Sequence, residues 1–133
     1  METIPPSQTL IHKEHIDYIR KINLIISKIK YNDDISNDDI TDIKIYLQTE
    51  FDKTFGLIID YIVNWKDNYE YNGYEQIGQQ YKIQTKQYEY AQKHITKIEY
   101  YKYKLYTEIT DKDIYLDIFN YLHELTDEEH DIY

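Results

Sequence analysis

The chain has no cysteine, only two prolines and three glycines, and a single arginine, Arg20. Without cysteine there is no disulfide framework, no thiol nucleophile and no Cys-based metal site, so an intracellular protein is expected. Pro5 and Pro6 stand side by side at the start, and no later proline interrupts a helix. Gly56, Gly73 and Gly78 are too few and too scattered for a glycine-rich phosphate loop. No apolar run approaches the roughly 20 residues of a membrane span. Met1 to Ser7 lacks the basic region and apolar core of a signal peptide, so a cytoplasmic protein, or one acting inside a host cell, is expected.

Positive charge is the other shortage. Against 25 acidic residues stand 15 basic ones, a net charge of −10. That balance opposes general affinity for nucleic-acid backbones and favours basic partners. Ile, Tyr, Lys, Asp and Asn are abundant where Gly, Ala and Pro are scarce. These preferences follow AU-rich codons and point to an AT-rich genome, such as a virus, a mobile element or a protist.

At 133 residues the chain is one domain, with a short flexible N-terminal tail and an acidic C-terminal tail from Thr126 to Tyr133 expected at its ends. Hydrophobic spacing supplies the architecture. In the first helix, about Gln8 to Lys30, Ile11, His15, Ile19, Ile22, Ile26 and Ile29 make one stripe, widened by Leu24 and Ile25. Ser36 with Asp39 reads as a capping box opening a second helix. There Ile40, Ile43, Leu47, Phe51, Phe55, Ile58, Ile62, Trp65 and Tyr69 recur at steps of three or four. Asn72-Gly73 predicts a helix stop. Beyond it a third helix is expected from about Tyr74 to Glu108, where Ile77, Tyr81, Gln84, Tyr88, Ala91, Ile95, Ile98, Lys102, Leu105 and Ile109 keep the rhythm. Thr110 with Asp113 predicts a last start, and Ile114, Ile118, Tyr121, Leu122 and Leu125 a short fourth helix. The fold class is therefore all-α: a four-helix bundle built on a long antiparallel helical hairpin.

The alternative is α+β, with a strand near 57–63 and a Tyr-rich hairpin after Thr96. The segment Asp42, Ile43, Leu47, Glu50-Phe51-Asp52-Lys53 and Ile62-Val63 locally resembles the second helix and following strand of cytoplasmic dynein light chains. That resemblance implies a strand at Leu57 to Val63. Nothing after Val63 continues it, and periodicity unbroken across Gly56 decides for helix, because one interior glycine costs only about 1 kcal/mol.

A fold-back centred between Asn72 and Gly73 opposes residues whose numbers add to about 145. This expectation sets Asp52 against Lys93, Asp60 near Lys86, and Asp42 between Lys102 and Lys104. Each hairpin arm spans about 50 Å, whereas the first helix covers about 33 Å and the fourth about 22 Å. The arm toward Asn72 is then bare. It carries Leu57, Ile58, Ile62 and Trp65, which become a candidate apolar interface. Asp38, Asp39 and Asp42 are the candidate acidic contacts.

Motifs for chemistry are weak. His12 and His15 flank Glu14 but find no second ligand pair, so no metal and no cofactor is expected. Asp33, Asp34, Asp38, Asp39 and Asp42 lack the glycine and closing glutamate of a calcium loop. Asp127 to His130 falls outside the di-iron pattern. No motif joins Ser27 or Ser36 to a histidine. Lys97, Tyr100, Tyr101, Lys102, Tyr103, Lys104 and Tyr106 interleave base and aromatic as single-stranded nucleic-acid platforms do, but the net charge opposes it. The expectation is a non-enzymatic, protein-binding module. It is either an acidic inhibitor of a basic target (immunity protein, antitoxin or viral antagonist) or a protein that self-associates through the apolar arm.

Overall fold

The computed structural model describes residues 6–107 and 111–133, with side chains from residue 13 onward. Four helices run up, down, up and down: α1 (Pro6–Lys30), α2 (Asn37–Trp65), α3 (Gly78–Leu105) and α4 (Asp113–His130). The described residues contain no strand. Leu57 to Val63 is the interior of α2, and Ile58 and Tyr61 are buried at helical spacing, so the strand alternative and its resemblance fail there.

Local chemistry explains the element ends. Pro6 is the first residue of α1, where its missing N–H costs nothing. Asn32 ends α1 in a left-handed conformation (φ 56°), and the Asp33 N–H reaches back to the Lys28 carbonyl at 2.8 Å. Asn here does what glycine does in a Schellman stop. The expected capping box is present: the Ser36 hydroxyl accepts from the Asp39 N–H at 3.1 Å, and the Asp39 carboxylate accepts from the Ser36 N–H at 3.4 Å. At α4 the expectation fails. Thr110 lies outside the described residues, and the N-cap position is Lys112, with the Asp111 carboxylate accepting from the Asp113 N–H instead.

The hairpin of α2 and α3 is the most extensive pairing in the bundle. Its turn is longer than predicted. From Lys66 to Tyr71 the chain winds as a π turn, Gly73 takes φ 66°, Gly78 takes φ 91°, and α3 starts there rather than at Tyr74. The fold-back centre therefore moves toward residue 75. Facing pairs 65/85, 69/81, 51/101 and 48/105 add to 150, 150, 152 and 153 instead of 145. The predicted charge pairs shift accordingly. Asp52 meets Lys102 at 3.3 Å rather than Lys93, and Asp42 meets Lys21 of α1 at 2.6 Å. Asp60 makes no ion pair among the described residues.

The core is filled by Ile22, Ile25, Ile26 and Ile29 of α1, Ile43, Leu47, Phe51, Ile58 and Tyr61 of α2, Tyr90, Ala91, Ile98 and Leu105 of α3, and Tyr115, Ile118, Tyr121 and Leu125 of α4. Leu24 points to solvent, so the buried face of α1 is narrower than predicted. His15, expected on that face, is also exposed. The last helix is the largest departure from expectation. Thr126 to His130 continues α4 instead of forming a tail, and Ile132 beyond it is buried. At 18 residues α4 is about 27 Å long and reaches along the hairpin as far as Tyr61. The Tyr61 hydroxyl donates to Glu129 at 2.8 Å, and Tyr90 donates to the Leu125 carbonyl at 3.1 Å.

Candidate functional site

Of the predicted apolar arm, Ile58 is 0% exposed and belongs to the core. Leu57 and Ile62 are half-buried against it. Trp65 is spent within the hairpin: its ring stacks on Tyr88 at 4.3 Å and 9°, and its Nε1–H donates to Thr85 at 3.1 Å. Tyr69 closes edge-on against Tyr81 at 4.9 Å. The two helices thus satisfy their apolar stripe with an aromatic cluster, and α4 covers the rest. What stays open at the tip is Val63, Tyr71, Tyr74 and Ile77.

The predicted acidic contacts are also mostly committed. Asp39 sits in the capping box and pairs with Lys28 at 3.4 Å. Partial desolvation pushes its carboxyl up, but the Ser36 amide, Lys28 and the Ser36 hydroxyl together outweigh this and hold it below the usual range. Asp42 is tied to Lys21, whose ammonium is in turn held above its ordinary value by that carboxylate. Asp38 is exposed and unpaired among the described residues.

A better acidic surface lies on α4. Asp113, Asp117, Asn120, Glu124, Asp127 and Asp131 follow at steps of four, three, four, three and four, and all six are exposed. At about 100° per residue they occupy one stripe roughly 80° wide, opposite the buried Ile118 and Leu125, along about 27 Å. None of its five carboxylates is in an ion pair among the described residues. Among the cations beside this face, Lys97 has its ammonium 4.3 Å over the Tyr121 ring, and Lys86 and Lys93 line a cleft together with Asp131.

Beside the stripe, α3 and α4 are joined by a chain of polar groups. His94 is 5% exposed, with Nδ1 2.7 Å from the Tyr121 hydroxyl and Nε2 2.7 Å from Glu128. A carboxylate only accepts, which puts a ring proton on Nε2; with a neutral ring, Nδ1 then accepts from Tyr121. Burial pushes the Tyr121 hydroxyl up, keeping it a neutral donor. Lys93 donates to the other Glu128 oxygen at 2.8 Å. That bond, and less strongly the one from His94, holds the Glu128 carboxyl below the usual range against the opposing effect of burial. Hydroxyl, imidazole and carboxylate in this order could activate a nucleophile. Here Tyr121 is 4% exposed and its proton is directed at His94, so the chain fastens two helices. It borders an open cleft of about 300 Å³ lined by Lys86, Glu89, Tyr90, Lys93, Glu128, Asp131 and Ile132.

Sequence reasoning missed this network, although its signal was present. Tyr90, His94, Lys97 and Tyr101 recur at steps of four, three and four and form a second seam on α3, facing α4. The first seam, facing α2, carries the apolar residues and is the more regular of the two. The interleaved Lys and Tyr residues are divided between faces. Tyr101 packs on Phe51, Lys102 lies over Phe55 at 4.4 Å, and Tyr100, Tyr103 and Tyr106 are exposed. No group of three or more metal-ligating side chains occurs among the described residues, and the His12 side chain lies outside them. No described helix is long and apolar enough to cross a membrane. No protein-family model, curated protein or solved structure matches the chain.

Proposed function

We propose that the protein is a non-enzymatic binding module, an acidic antagonist that covers a basic surface of a target protein. An immunity protein, an antitoxin or a virus-encoded inhibitor works in this way. The observation that carries the reading is the α4 stripe: five carboxylates with no ion-pair partner among the described residues, on one face of α4 and its C-cap, in a chain of net charge −10. Carboxylates held in a row on a packed helix meet a row of cations with little loss of conformational freedom. Such a surface speeds encounter and is weakened by salt, since charges beyond about 8–10 Å are screened at physiological ionic strength. Asp38, with Asp33 and Asp34 in the preceding loop, offers a lesser acidic patch at the far end of α2.

The test presents the immobilised protein with a panel of purified basic nucleic-acid-binding proteins and neutral controls. Selective retention of basic members, lost in high salt and lost with Asp117→Lys, Glu124→Lys and Asp127→Lys together, is the expected result. Retention that persists or tightens with salt would overturn the reading.

A second reading, self-association, is favoured by the exposed Val63, Tyr71, Tyr74 and Ile77 at the two-helix tip. Light scattering behind a sizing column separates the two. A monomer favours the antagonist; a dimer dissolved by Val63→Asp with Ile77→Asp favours assembly.

A further inference from the structure

The segment 72–77 between the π turn and α3 differs from the rest of the chain. It is a six-residue non-helical stretch, and every residue from Glu70 to Gln80 is exposed. Glycines with positive φ bracket it, Gly73 at 66° and Gly78 at 91°. Ile77 is already extended at φ −137° and ψ 159°. Tyr74 at its centre is 58% exposed; its ring and hydroxyl enter no hydrogen bond or aromatic pair among the described residues, while its backbone N–H donates to the Asn68 carbonyl at 2.8 Å.

Most of the 17 tyrosines are unsuited to modification where they stand. Those on helices present their hydroxyl from a backbone that an enzyme cannot straighten without unwinding the bundle. Tyr106 donates to Asp52 at 3.0 Å, Tyr133 is held by Gln87 at 2.6 Å, and Tyr31 sits in a tight turn with the Lys30 ammonium 5.7 Å from its ring. Tyr74 lies instead on a strip with Gly73 and Gly78 at its ends, where extension breaks one backbone hydrogen bond, Tyr74 N–H to the Asn68 carbonyl, and leaves α2 and α3 folded. Its surroundings are acidic, with Asp67, Glu70 and Glu75 close in sequence, and the apolar Ile77 follows at 73% exposure.

We propose that Tyr74 is a phosphorylation site, and that the phosphorylated loop is a docking motif for a phosphotyrosine-binding protein module. In the transfer, the Tyr74 hydroxyl oxygen attacks the γ-phosphorus of ATP and the bond to the β–γ bridging oxygen breaks. ADP leaves, and the hydroxyl proton passes to the kinase's base. The product adds a charge of about −1.5 to −2 and three acceptor oxygens. The neighbouring acids repel this group from the protein's own surface, so it stays available to a partner. An arginine cluster recognises the phosphate. Ile77, three residues on, lies about 10 Å away in an extended chain and fits an apolar pocket at that distance. This inference is independent of the α4 stripe.

The experiment treats the full chain with ATP and a recombinant tyrosine kinase that prefers acidic substrates, maps the phosphate by mass spectrometry, and titrates the product with a recombinant SH2-type domain. The expected result is phosphate on Tyr74 before any other tyrosine, none at that position in Tyr74→Phe, and binding of the domain only to the phosphorylated chain. Ile77→Asp should weaken that binding at least tenfold while leaving the fold unchanged by circular dichroism. Phosphate appearing first on another tyrosine, or a phosphorylated Tyr74 that gains no affinity for the domain, would overturn the proposal.

Discussion

His94 and Glu128 meet across the α3–α4 seam with Nε2 and Oε2 2.7 Å apart, and Lys93 holds the second carboxylate oxygen from the solvent side at 2.8 Å. One carboxylate therefore serves a buried ring and an exposed cation together. The folded state favours its ionised form, because Lys93 first and His94 next hold it below the ordinary carboxyl value of 4.5. The linked stability is present above that value and is lost as pH falls through the lower folded one. Urea unfolding between pH 3 and pH 7 should show an acid limb in the wild type that Glu128→Gln flattens. Near neutral pH the variant should be less stable by about 1 kcal/mol, the partial exposure of the pair reducing the worth of a charged hydrogen bond. Parallel pH curves for the two proteins would contradict this role.

Burial of Ile58 distinguishes a core residue from an interface residue. Ile58→Ala should cost about 2–5 kcal/mol, since it opens a cavity between α2 and its neighbours. Val63→Ala, on the exposed side of the same helix, should stay within about 0.5 kcal/mol. Denaturant midpoints decide this, and equal small losses at both positions would mean that the upper half of α2 is uncovered.

Gly56 offers a change in the opposite direction. It lies in the interior of α2, is exposed, and a Cβ there would meet no atom within 4 Å beyond its chain neighbours and the local helix backbone. Gly56→Ala should therefore stabilise the protein by about 1 kcal/mol, through higher helix propensity and a less flexible unfolded chain. A thermal midpoint that falls would show that the helix is distorted there.

Much of the fold is legible from spacing alone. Ile43, Leu47, Phe51 and Ile58 are buried where a stripe of period 3.6 requires, and Ser36 with Asp39 caps as its motif predicts. The register was not legible, because it depends on a π turn and on two left-handed glycines whose combined length no local rule supplies. The end of α4 was hidden by composition. Thr126 to His130 is polar enough for a tail, yet Leu125 and Ile132 bracket it with buried side chains. The same misreading concealed the acidic stripe, since Asp127 and Asp131 align with Asp113, Asp117 and Glu124 only when the helix continues. His94 was missed for a related reason: a histidine flanked by Lys93 and Ile95 shows no partner until α4 brings Glu128 to it.

The most direct measurement compares two variants of equal charge. One reverses Asp117, Glu124 and Asp127 to lysine on the stripe; the other reverses Asp33, Asp34 and Asp38 to lysine in the loop and first turn before α2. Each set of three reversals moves the net charge by six, from −10 to −4. Both sets are exposed and none of the six carboxylates is in an ion pair among the described residues, so neither variant should lose the fold. Isothermal titration with a lysine-rich helical peptide long enough to span the roughly 27 Å stripe reads the difference. The stripe variant should lose binding, while the loop variant should keep it within about threefold, a change of only about 0.7 kcal/mol. Equal weakening in both would mean that the peptide senses net charge alone, and that α4 carries no binding face.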